Sequence, residues 1–134
     1  MAQMIPVVDC KIEAFCEINP SEDPQKLEQV ISNVFDNIEI KTTNDTIKAN
    51  SKDISSLSKI HESIQNHKSQ RVYFRFLNNN LEENSTWFYL NKQAAFANFI
   101  SLCEHDNESP LGPIKVVIHS KNIERIIEWL TGQN

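Results

Sequence analysis

A chain of 134 residues, 40% hydrophobic and 23% charged, has material for one domain around one core and too little for two. The net charge of −5 argues against a generic cationic coat for nucleic acid, and no apolar run approaches membrane-spanning length. The first residues lack the basic and apolar stretches of a secretory signal, so the expected compartment is the cytoplasm.

Residues 7–18 alternate, with Cys10, Ile12, Ala14, Cys16 and Ile18 on one side and Lys11, Glu13, Phe15 and Glu17 on the other. That period of two predicts a half-buried strand. Cys10 and Cys16 would then stand roughly 20 Å apart along it, too far to bond. None of the three cysteines forms a CxxC pair, and all read as small buried hydrophobes in a reducing compartment. NPSEDP stops the strand. Ser21 is the expected cap, Glu22, Asp23 and Pro24 suit a first turn, and Leu27, Val30, Ile31, Val34 and Phe35 share a helical face. Residues 38–41 and 46–50 predict a hairpin around TTND. Asp53 opens a helix to about Gln65, with Ile54, Leu57, Ile60 and Ile64 inward.

RVYFRFL, 71–77, supports either a strand, with Val72, Phe74 and Phe76 on one side, or a helix that pairs Tyr73 with Leu77. Arg71 and Arg75 share a face in both cases. TWFYL reads as a strand, LNKQAAF as a helix start, ISLC as extended, HDNESPLGP as a loop and IKVVI as a strand. A last helix turns Ile123, Ile126, Ile127 and Leu130 inward and ends before Gly132, with Trp129 off that stripe and partly buried. Strands alternating with helices over short connections predict an α+β fold. It is a single two-layer domain over residues 1–134, with a mixed, mostly antiparallel sheet and helices packed on one face.

Charge is uneven. Residues 1–67 hold six Lys and Arg against eleven Asp and Glu, whereas residues 68–134 hold seven of each. Lys59, Lys68, Arg71 and Arg75 face only Glu62 between residues 59 and 75, so an acidic chain carries a local basic patch. Lys92 is a second anomaly. Asn91 is a good N-cap, and a cation in the first turn after it opposes the helix dipole by a few tenths to about 1 kcal/mol. Either Asn91, Lys92 and Gln93 clasp a phosphate together with the free N–H groups, or Lys92 reaches solvent or one of Glu82, Glu83 and Glu104.

LNKQAAF, SPLGPIKVVI, IEWL and the earlier NPSEDPQKLEQVISNVF together resemble an archaeal family of small uncharacterised proteins. That family is described as predicted RNA-binding or exosome-associated, with an α+β fold similar to an RNA-binding large-subunit ribosomal protein and to the double-stranded-RNA-binding fold. The resemblance runs from about residue 6 to 131. It implies a binding protein and carries over no catalytic residue. Family members tend to have an arginine-rich helix before the TWFYL-like strand, where this chain keeps Lys68, Arg71 and Arg75. Asn98 stands where a glycine is frequent, and Phe99 where a polar or basic residue is common.

The expected function is therefore non-enzymatic RNA binding through backbone phosphates of a structured RNA, as an accessory to an RNA-processing assembly. The candidate contacts are Lys68, Arg71, Tyr73, Arg75, Asn91, Lys92 and Gln93, with Tyr73 as a stacking face. Phe74, Phe76, Trp87, Phe88 and Tyr89 could form a stacking platform, although such aromatics more often fill a core. No Walker loop, nucleophile elbow, HExxH or paired-cysteine pattern occurs. Cys103, His105, Asp106 and Glu108 match no common metal spacing, and no cofactor is expected. The alternative is a protein–protein adaptor or homodimer module that uses exposed aromatics and a sheet edge.

Overall fold

The computed structural model of the chain describes residues 5–132. Strand β1 (Lys11–Glu17) is the alternating segment, with Ile12, Ala14 and Cys16 buried. Helix α1 (Pro24–Val34) begins two residues later than a Ser21 cap would place it, because the Asp23 side chain accepts from Gln25 N–H at 3.0 Å and Pro24 occupies the first turn. Its expected apolar face, Leu27, Val30, Ile31 and Val34, is buried. Strands β2 (Glu39–Thr42) and β3 (Thr46–Ser51) form the hairpin. Asp53 caps the next segment through Ser55 N–H at 2.9 Å, opening a 3₁₀ turn (Ile54–Leu57) that runs into α2 (Ser58–Asn66).

Residues 71–77 are helical, inside α3 (Gln70–Asn79). Lys68 at φ 52 turns the chain between α2 and α3, and Tyr73 and Leu77 then point inward. Strand preference for Val, Tyr and Phe spans only about 1 kcal/mol, and burying Tyr73 and Leu77 outweighs it. Strand β4 (Ser85–Asn91), the short helix α4 (Lys92–Phe96), β5 (Leu102–Cys103), β6 (Pro113–His119) and α5 (Ile123–Thr131) complete the order. Gly132 ends α5 at φ 68, a left-handed cap, and donates its N–H to Glu128 O at 2.6 Å.

The sheet order is β2-β3-β1-β6-β4-β5. Every pairing between these strands is antiparallel, so the mixed sheet expected from sequence is corrected. The reason lies in the crossover: α1 carries the chain past the position that β3 fills, so β2 runs with β1 without touching it. One face of the sheet, with Ile12, Ile47, Phe88, Val116 and Ile118, joins the apolar stripes of the helices in one core. Among the described residues the opposite face has no helix on it: the alternate residues of β1, β3, β4 and β6 are half-buried or exposed.

The thiols divide with the burial. Cys16 and Cys103 are each 3% exposed and Cys10 is half-buried, all three unbonded. Burial pushes the Cys16 thiol up to about 11. With a thiol-specific disulfide reagent at pH 8, Cys10 is expected to react first and Cys16 only at the rate of unfolding. Equal rates for both would contradict this core.

Candidate nucleic-acid interface

The seven residues expected to contact RNA do not form one surface. Lys92 is wholly buried. β4 delivers the chain to Asn91, whose side chain caps α4 by accepting from Ala94 N–H at 2.8 Å, and this turns Lys92 inward under the segment that leads from β1 to α1. Its ammonium has three donors, and all three are used: Glu17 O at 2.8 Å, Leu111 O at 2.7 Å and Glu22 Oε1 at 3.2 Å. Burial works against the Glu22 carboxylate. Even so, the Asn19 N–H and Nδ2, at 3.0 and 2.6 Å, and Lys92 hold its carboxyl below the usual carboxylate range. The phosphate role for Lys92 is therefore corrected. Its partner is a carboxylate 70 residues earlier in the chain, not Glu82, Glu83 or Glu104. Asn91 is occupied as a cap, and Gln93 alone of the three is exposed.

Tyr73 is corrected as well. It is 3% exposed and meets Phe88 edge-on, ring centroids 5.8 Å apart, so it offers no face to a base. Lys68, Arg71 and Arg75 are exposed, with no carboxylate in ion-pair range among the described residues. Lys68 and Arg71 line a shallow groove with Gln65, Gln70 and Val72, on the helical side of the molecule. The ridge has charge but has lost its aromatic.

The uncovered side of the sheet combines both. Register places Lys41 beside Lys48, Lys48 beside Phe15, Phe15 beside Lys115 and Lys115 beside Tyr89, one row across five strands. Directly opposed side chains in such a row have Cβ atoms about 4.5–5.5 Å apart. None of Lys41, Lys48 and Lys115 has an ion-pair partner among the described residues. The neighbouring row holds Glu39, Asn50, Glu13, Val117 and Trp87. Of its two acids, Glu13 is engaged by His119 Nε2 at 2.9 Å and Lys11 at 3.9 Å, and Glu39 stands exposed at the far edge, on β2. Trp87 meets Tyr89 edge-on at 5.0 Å, and the Lys115 ammonium stands 4.8 Å from the Trp87 ring centroid.

Of the aromatics weighed as a platform, Phe88 fills the core and Phe74 and Phe76 pack against it, whereas Trp87 and Tyr89 lie on the uncovered face. Phe15, Lys41, Lys48 and Lys115 escaped the sequence reading. Period-two alternation in PIKVVIH and TIKANS puts each lysine on a polar face. Which strands are neighbours, and in what register, is the long-range information that brings them together.

A family model described as RNA binding matches residues 11–120. A UPF0201 protein of Sulfurisphaera tokodaii is 39% identical over 125 residues, covering 90% of this chain and 86% of that protein. One from Methanothermobacter thermautotrophicus is 34% identical over 120 residues, covering 90% and 89%. The crystal structure of a UPF0201 protein from Methanococcus jannaschii shares the fold, with a TM-score of 0.79 at 23% identity over 92% of this chain and 94% of that one. On the extent of the model match and of the two sequence relatives, this chain belongs to the family described as RNA binding, among its UPF0201 proteins.

Proposed function

We propose that this protein is a non-catalytic RNA-binding protein whose contact surface is the uncovered face of its sheet. The observation that carries this is the row Lys41–Lys48–Phe15–Lys115–Tyr89, in which three lysines without a carboxylate partner among the described residues lie beside two aromatic rings. Lysines spaced along such a row suit successive backbone phosphates, and counterions released from those phosphates supply affinity despite the net charge of −5. Membership of the family described as RNA binding supports the same reading. An accessory place in an RNA-processing assembly is the further step, supported by the sequence resemblance.

The test is a titration of an RNA hairpin with a single-stranded loop at two ionic strengths. Neutralising three phosphates gives a log–log salt slope of about −2 to −3 for the wild type. Lys41→Ala/Lys48→Ala/Lys115→Ala is expected to flatten that slope and weaken low-salt binding at least tenfold. Arg71→Ala/Arg75→Ala, on the helical side, should stay within about twofold. Failure of the wild type to bind, or a lysine triple variant that binds as well as wild type, overturns the proposal.

A further inference from the structure

Resting on that reading, we infer that the RNA segment held by the sheet is unpaired, with a base stacked on Trp87 and its neighbour on Tyr89. A sheet face is nearly flat, and β4 places these two rings two residues apart on it, with centroids 5.0 Å apart and planes inclined at 60°. Rings so inclined suit splayed bases of a single strand, each covering one ring and not stacked on the other. An A-form duplex cannot use them: its bases are stacked inside, and it presents phosphates and 2′-hydroxyls, which the lysines could meet but the rings could not. Lysines alone would serve a duplex. Two large aromatics half-exposed beside them serve bases.

Lys115 gives the arrangement a second feature. Its ammonium covers the Trp87 ring at 4.8 Å from the centroid, while its strand position lies between Phe15 and Tyr89. An arriving base takes that ring face, and the displaced ammonium, on its flexible stem, swings to the phosphate that the same nucleotide brings. The exchange trades one cation–ring contact for a stacked ring and a charge-assisted phosphate contact. Lys48, across Phe15 in the same row, is placed for the next phosphate.

Intrinsic fluorescence separates the two tryptophans, since Trp129 is only 6% exposed and stacked on His61, and Trp87 is the half-exposed one. An eight-nucleotide oligouridylate is expected to quench the Trp87 component, whereas a blunt duplex RNA leaves it unchanged. Trp87→Ala should weaken oligouridylate binding about 5- to 100-fold and leave any duplex binding alone. Trp87→Phe keeps a stacking ring and should stay within about threefold, so a general loss of folding is told apart from loss of the ring. Duplex and single strand bound equally, with Trp87→Ala indifferent to both, would overturn the unpaired-base inference and leave RNA binding standing. If neither RNA binds, the functional reading itself falls.

Discussion

Lys92→Ala is expected to cost about 3–5 kcal/mol of folding stability, the range for removing one partner of a buried ion pair. The wild-type side chain is fully buried and donates to two backbone carbonyls as well as to Glu22, so its removal takes one hydrogen bond from each of three acceptors and leaves the Glu22 carboxylate without its cation. Urea unfolding reads this as a lower midpoint with an unchanged slope. Adding Glu22→Gln should recover part of the loss, because the stranded charge goes with it. An alanine variant less than about 1 kcal/mol below wild type would show that the ammonium is not needed there. Under conditions where the variant remains folded, its RNA affinity should match wild type, which separates a structural lysine from a phosphate contact.

Acid adds a second readout of the same pair. The folded carboxyl of Glu22 lies below its ordinary value of 4.5. Its stabilisation is therefore present above about pH 4.5 and lost as pH falls through the lower folded value. Glu22→Gln should flatten that part of the stability profile, with the loss confined to the acid side.

Phe88→Ala is expected to cost about 3–5 kcal/mol, while Trp87→Ala, one residue earlier, should cost under about 1.5 kcal/mol. Phe88 is 0% exposed and takes the edge of Tyr73 at 5.8 Å. Its loss leaves a cavity lined by rigid sheet and helix. Trp87 loses contacts to Tyr89 and Lys115 on a face open to solvent, where water refills the space. Thermal or urea unfolding of both variants checks the contrast. Equal costs would mean that the uncovered face is in fact covered.

Much of the architecture was legible because it is written locally. The alternation in β1, the stripe of α1, the hairpin and the isoleucines of α5 each depend on neighbours within a few residues, and each formed as read. Residues 71–77 were undecidable because strand-prone residue types and a workable helical stripe coincide there, and only the core that Tyr73 and Leu77 enter breaks the tie. The site was harder. A lysine after an N-cap looks misplaced until Glu22, Glu17 and Leu111 are brought around it from distant segments. The aromatic run TWFYL held both a core residue and two surface residues, and alternation could sort them into two sides without saying which side the helices would cover. Lys41, Lys48 and Lys115 acquire meaning together only through the register of five strands.

The place of β6 bears on how the molecule is made. It follows the other five strands in the chain, yet it lies between β1 and β4 and joins β2-β3-β1 to β4-β5. Until residue 119 has been synthesised, each half waits with an unpaired inner edge, a template for wrong partners. The growing chain thus stays vulnerable until β6 emerges, whose arrival closes a seam between segments about a hundred and about thirty residues before it.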